Sequence, residues 1–250
     1  MRSLFAMFAL IVMLYPSFAS AQAAPPVPDT IPGKDGRLAW VSARHALDES
    51  GRLKTELVDS PLLRANARLN RKQNEIKAND AAAEECKTFL GTYLENFKPT
   101  NSLKEAVDGA EMIVSGRVLS IEEGFLHNLP GSLLRLSGSA IKGTNTDEIF
   151  VFYPLARIRT ANGLVCTRPV GAFQPPAVGD QLVVFSMSQP LVTENRTVLQ
   201  VDPVREIVHQ GVSGQRVVPA AFVQELGSGL TFEQLERRVV LESKSARRSQ

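Results

Sequence analysis

The chain carries few residues whose type and spacing perform chemistry. Its three histidines, His45, His127 and His209, are far apart, and none stands in a zinc-ligand spacing such as His-x-x-x-His. His45 and Glu49 are spaced for one helical face, but a metal needs a third ligand and none is nearby. A serine nucleophile needs a base, oxyanion donors and an exposed elbow, and the Gly-x-Ser-x-Gly elbow is absent. Ser213, in Gly211-Val212-Ser213-Gly214, falls one residue short of it and reads better as a turn serine. Glu122-Glu123 and Asp147-Glu148 are adjacent pairs, and consecutive residues of a strand point to opposite faces, which suits solvated turn edges better than acid–base work. These residues predict no catalytic site, no metal and no cofactor.

The first residues set the compartment. Arg2 precedes an apolar run from Leu4 to Leu14, Pro16 ends it, and the small residues Ala19 and Ala21 suit a signal peptidase. The run is about half the length of a bilayer-spanning helix, so residues 1–21 are expected to be a cleaved signal peptide and the mature chain to begin at Gln22. The expected protein is exported, periplasmic or secreted, and does not span the membrane. In an oxidising compartment the only two cysteines, Cys86 and Cys166, are expected to form a disulfide. Closing that loop would stabilise by about 4 kcal/mol in the chain-entropy model. The alternative is two buried, unpaired thiols.

The main charge feature is Arg64, Arg68, Arg71 and Lys72, whose spacings of four, three and one put them on one side of a helix. They make a candidate anion-binding face for lipid, glycan or nucleic acid, against the simpler reading of a solvated helix face. The formal net charge is only +2. Specific nucleic-acid binding is not expected, because counterion release needs a strongly positive surface. Asn195-Arg196-Thr197 is a glycosylation acceptor only in a eukaryotic secretory pathway.

Positioning falls to the elements around these residues. At 250 residues, 44% hydrophobic and 22% charged, the chain has ordinary globular composition and ample length for a core. Residues 22–34 hold four prolines and are expected to be an extended, solvated linker. Residues 35–100 are rich in Ala, Leu, Arg, Lys, Glu and Asn and predict a helical extension. Ser60-Pro61 opens one helix with a seam of Leu62, Leu69 and Ile76, and Ala82, Cys86, Phe89 and Tyr93 line a second. After a short helix at Ser102 to Asp108, strands are predicted at Met112–Ile121, Ser132–Ile141, Glu148–Tyr153, Leu164–Cys166, Gln181–Met187, Thr197–Val201 and Arg205–His209. Gly124, Pro130-Gly131, Lys142-Gly143, Asn162-Gly163 and Gly179-Asp180 read as the turns between them. Ile149 to Tyr153 is apolar on both faces, as in a strand packed between the sheet interior and another element such as the preceding helix. Residues 101–219 are therefore expected to be a small antiparallel OB-like β-barrel and the fold class α+β. Residues 220–250 complete it with a short C-terminal helix capped by Thr231, and the last eight residues are expected to be frayed.

In the order of its features the stretch 102–187 resembles the netrin-like modules and tissue inhibitors of metalloproteinases, within a broader set of uncharacterised exported bacterial proteins. Ala110-Glu111 leading into Met112-Ile113-Val114-Ser115-Gly116-Arg117-Val118 is similar to that family's first strand, where an Ala-Asp pair leads into an apolar run. Ile141-Lys142-Gly143 resembles its Lys-Gly turn. Ile149 to Tyr153, Leu164-Val165-Cys166 and Val178-Gly179-Asp180 before Leu182 to Phe185 follow in the same order. The resemblance implies a five-stranded OB-type barrel with flanking helices. It does not carry the inhibitors' zinc chelation, which needs an N-terminal cysteine where this mature chain begins at Gln22.

The function expected is that of a non-catalytic binding module for a protein or an envelope polymer. The alternatives are a regulator of a secreted protease acting without zinc chelation, and a hydrolase with a site assembled from distant residues. Loops 122–131 and 170–178 supply candidate partner-binding residues Phe125, Leu126, Leu129 and Phe173, whose other reading is packing onto the sheet. Thiol titration of denatured, unreduced protein is expected to return no free thiol, and two would refute the disulfide. Changing Arg64, Arg68, Arg71 and Lys72 together to Ser is expected to abolish retention on anionic lipid or polyanion columns; unchanged retention makes them a solvated face.

Overall fold

Two long runs of alternating side chains build the centre of the molecule. β3 (Met112–Leu126) and β4 (Leu129–Lys142) form an antiparallel hairpin closed by His127 and Asn128. Both turn residues have positive φ, 45° and 68°, as a two-residue primed turn requires. The structure, a computed structural model, describes residues 25–59, 102–153, 156–161, 163–167, 176–186, 191–193, 195–200, 207–210, 216–217 and 231–248. Before the hairpin come β1 (Thr30–Pro32), β2 (Leu38–Ser42), α1 (Ala43–Ala46) and α2 (Leu103–Gly109). After it come β5 (Glu148–Tyr153), β6 (Ala156–Thr160), β7 (Gly163–Thr167), β8 (Gln181–Ser186), β9 (Leu191–Thr193), β10 (Arg196–Gln200), β11 (Ile207–Gln210), β12 (Arg216–Val217) and α3 (Phe232–Arg248).

The main sheet has the order β12-β11-β8-β3-β4-β5-β10-β9, with β2 also pairing β3 and β1 pairing β2, while β6 and β7 form a separate hairpin. The fold is α+β, as expected, but the sheet is mixed rather than antiparallel, because β10 runs parallel to β5. Among the described residues no ladder joins β8 or β11 to β9 or β10, so the sheet is not closed. One apolar cluster takes Met112, Val114 and Val118 from β3, Leu134 and Leu136 from β4, Ile149, Val151 and Tyr153 from β5, Leu182 and Val184 from β8, and Leu199 from β10.

The opposite face is covered in two parts. At one end Ile113, Val183 and Phe185 pack under Leu103, Ala106 and Val107 of α2 and Phe232, Leu235 and Val239 of α3. Ser102 caps α2 by accepting the Glu105 N–H at 3.0 Å, and Lys142 Nζ donates to the Val107 carbonyl at 2.8 Å near the helix C-terminus, where a cation is favoured. Thr231 and Gln234 form a reciprocal capping box, Gln234 N–H to Thr231 Oγ1 at 3.2 Å and Thr231 N–H to Gln234 Oε1 at 2.8 Å. The expected fraying of the last eight residues is not what is seen: α3 is helical to Arg248, and Ser243 is buried with its hydroxyl on the Val239 carbonyl.

At the other end Phe150 and Phe152 of β5, Leu133 of β4 and Val198 of β10 pack under Val27, Ile31 and Trp40. β5 is thus buried on both faces, as its run predicts, but its outer cover is the β1–β2 hairpin instead of a helix. Residues 25–34 are not a free linker: Val27 is 2% exposed and Ile31 is fully buried. Nor does the expected helical extension begin at residue 35: Leu38–Ser42, with its aromatic and β-branched residues, is a strand paired on both sides, and only Ala43–Ala46 is helical among described residues 35–59. Proline lacks an N–H, so an extended proline-containing segment can lie on a sheet without orphan donors.

Gly124 and Gly131, expected as turn punctuation, lie inside β3 and β4 and face each other in register. Their role is to lack a side chain. A Cβ on Gly124 would run into the Val41 carbonyl oxygen and lie 2.6 Å from Trp40 Cη2, and one on Gly131 would lie 2.5 Å from Phe152 Cε2. The two rings meet edge to face, 6.3 Å between centroids and 67° between planes, a favourable aromatic geometry. Gly124→Ala and Gly131→Ala are each expected to destabilise by about 1–3 kcal/mol through overpacking, seen as a lower urea midpoint. Ser137→Ala, on the exposed part of β4, should leave the midpoint unchanged within about 0.5 kcal/mol.

Candidate functional site

Residues 25–28 have no regular secondary structure, and three of them are proline. Such a segment has carbonyls to satisfy but few N–H groups. It crosses the outer side of the β3–β4 hairpin as a strap, and side chains hold it. Ser120 Oγ of β3 donates to the Pro25 carbonyl at 3.1 Å, Arg135 Nη1 of β4 to the Pro26 carbonyl at 3.2 Å, and Trp40 Nε1 of β2 to the Pro28 carbonyl at 3.1 Å. Between these holds the Val27 side chain enters the cluster of Trp40, Leu133, Phe150 and Phe152.

Asp29 ends the strap. Its carbonyl accepts the Ser42 N–H at 2.7 Å, and its Oδ1 accepts both Ser42 Oγ at 2.8 Å and Arg44 Nε at 2.5 Å. The Ser42 hydrogen bond, helped by Arg44, holds the Asp29 carboxyl below its ordinary value. The bond to Asp29 and the charge of Glu122 hold Arg44 more firmly protonated. Glu122 Oε1 of β3 lies 3.6 Å from Arg44 Nε. Partial burial raises the Glu122 carboxyl, with Arg44 opposing that effect. Beside the strap, Glu148 lies between two guanidiniums, with Arg135 Nη2 2.7 Å from Oε1 and Arg196 Nε 2.5 Å from Oε2. Arg135 therefore holds a strap carbonyl and a carboxylate on β5 together.

This arrangement grips extended backbone by its carbonyls and takes one aliphatic side chain into an aromatic-walled cleft. Among the described residues no group of three or more His, Cys, Asp or Glu is placed to hold a metal ion. Phe125 and Leu126, expected as partner contacts on a loop, are buried at 1% and 2% exposure and belong to the core. Segment 122–131 is not a loop, because β3 and β4 pair through to Leu126 and Leu129. Phe125 packs with Val41, Ala46, Val58, Ala156 and Ile158, while Leu129 is partly buried against the Trp40 cluster. Phe173, Arg64, Arg68, Arg71, Lys72 and Cys86 lie outside the described residues. Cys166 stands on β7 opposite Arg157 of β6, and its pairing with Cys86 lies outside those residues too. The strap's holders, Trp40, Ser120, Arg135 and Arg44, carry no motif; the available signal is the chain's only tryptophan standing shortly after its proline-rich stretch.

Phe125→Ala is expected to lower stability by about 3–5 kcal/mol, as for a buried aromatic, measured by chemical denaturation. Asp29 has a folded value below its ordinary 3.8, so its contribution is full above 3.8 and lost as pH falls through the folded value. Glu122, raised by burial, acts in the opposite sense, its desolvation penalty being relieved on protonation. Acid titration of Trp40 fluorescence is thus expected to show the strap loosening below the ordinary carboxylate range, and Asp29→Asn should remove that step. An identical acid transition in the variant would contradict the assignment. No family model, no curated protein and no solved structure matches this chain.

Proposed function

We propose that the protein is an exported, non-catalytic binding module, an OB-like barrel with an N-terminal extension, whose ligand is a protein or an envelope polymer. The pairing order β8-β3-β4-β5-β10, antiparallel except for β5 with β10, supports the OB-like reading. So does the single apolar cluster drawing on all five of these strands. Export rests on the charged, apolar and small-residue pattern of residues 1–21. The net charge of +2 offers little counterion release and favours a ligand other than nucleic acid. Among the described residues no helix is long and apolar enough to cross a membrane.

One observation carries the binding reading: this face of the sheet already holds an extended polypeptide, the strap of residues 25–29, through side-chain donors on β2, β3 and β4 and apolar contact with β4 and β5. OB-type barrels bind their ligands on the face of their second and third strands, the places β4 and β5 take here. The test is affinity capture on immobilised protein beginning at Gln22, with envelope and secreted fractions as input. The expected result is a stoichiometric, salt-resistant partner, protein or polymer; an empty capture from both fractions overturns the reading.

A further inference from the structure

The strap is bound in a way that does not depend on its being covalently part of this chain. We propose that its groove is a clamp for an extended, proline-containing segment of a partner protein, and that Pro25–Asp29 is the resident occupant which such a segment displaces. The inference rests on the binding-module reading and names its ligand chemistry.

Four features define what fits. Three holds reach backbone carbonyls, those of Pro25, Pro26 and Pro28, from the side chains of Ser120, Arg135 and Trp40. Carbonyls are common to every peptide, but a segment gripped this way leaves its N–H groups without ladder partners, and proline has none to leave. Proline also fixes φ in advance, so the ligand loses less conformational freedom on docking, the physical basis of proline-rich recognition by aromatic-lined grooves. The third feature is the anchor: Val27, 2% exposed, occupies the space bounded by Trp40, Leu133, Phe150 and Phe152, which suits a small aliphatic side chain between prolines. The fourth is charge. Arg44 and the Ser42 hydroxyl bind the Asp29 carboxylate and fix the register with an acidic residue two places after the anchor.

The strap is more exposed at its entrance than at its anchor, since Pro25 and Pro26 are exposed whereas Val27 is buried. A competing segment can therefore begin at the Ser120 and Arg135 end and proceed toward Asp29. A tethered occupant competes at an effective concentration of about millimolar, so the intact protein discriminates against weak ligands.

The test uses a fluorophore-labelled peptide of the sequence Ala-Pro-Pro-Val-Pro-Asp-Thr, that of residues 24–30. It is titrated into the chain beginning at Gln22 and into its Asp29→Ala variant, with anisotropy and Trp40 emission as readouts. Asp29→Ala removes the strap's charged hold and is expected to bind the peptide about tenfold more tightly or better. Adding Ser120→Ala to it should weaken binding again, and a peptide with Glu in place of Val should not bind. Equal affinity for the two chains, or indifference to the Glu peptide, overturns the clamp. If Asp29→Ala loses cooperative unfolding, Pro26→Gly loosens the exposed part of the strap without touching the core and takes its place, with the same expected and overturning results. A captured partner that excess peptide does not displace sinks the clamp and leaves the module; peptide binding with an empty capture does the reverse.

Discussion

The contact on which most of this structure depends is one between rings and missing side chains. Gly124 and Gly131 stand opposite each other on the two central strands, and the space that two Cβ atoms would fill is taken by Trp40 with the Val41 carbonyl and by Phe152. Because those rings lie flush with the backbone, the β1–β2 hairpin can settle on the outer face of β4 and β5 and bury Ile31 and Val27. With the hairpin in place Trp40 Nε1 is aimed at the Pro28 carbonyl and Arg44 at Asp29. A side chain on Gly124 would lift the hairpin and, with it, the Trp40 donor of the strap, and one on Gly131 would displace the Phe152 ring against which Trp40 packs.

Charged groups then fasten together elements that apolar packing has already brought close. Lys142 joins the end of β4 to the C-terminal turn of α2, and Glu148 joins the starts of β5 and β10 to the middle of β4 through Arg135 and Arg196. Arg44 joins Asp29 to Glu122 across the strap. The last of these ties lies on the surface, where solvent screening leaves an ion pair little net energy; its value is in fixing register. Glu148 is more enclosed, its side chain being 22% exposed, and both of its oxygens are used.

β5 is legible at both ends, Glu148 and Tyr153, because it is a short apolar run between turn residues, whereas β3 and β4 run beyond their expected ends and β6, β9 and β12, short or rich in polar residues, carry no such signal. The helix starts at Ser102 and Thr231 were legible because a capping hydroxyl precedes an apolar stripe. Gly124 and Pro130-Gly131 are misleading signals because glycine marks backbone freedom in a sequence, whereas its use here is close approach. The true turn, His127-Asn128, takes positive φ without glycine and gave little warning. The expectation for Phe125 and Leu126 fails for the same reason, since a turn at Gly124 would make a loop of what is a paired strand. Within 22–34 four prolines suggest solvent exposure, whereas Val27 and Ile31 make the segment a cover, and Leu38–Ser42, expected within a helical extension, is a strand that adds Trp40 to it. Which side chains hold the strap depends on contacts as much as 109 positions apart in sequence, which no local pattern encodes.

The parallel pairing of β5 with β10 has a bearing on how the chain acquires its structure. β5 is enclosed by residues 27–40 on its N-terminal side in sequence and by residues 196–200 on the other. No shorter fragment ending at β5 can complete the enclosure of its own most apolar strand, so the last partner arrives only when nearly four-fifths of the chain is present. Contacts of such long sequence separation slow folding and leave Ile149 to Tyr153 exposed in the interval. A chain that folds late stays extended longer, which makes that strand the segment that holding chaperones have most reason to cover.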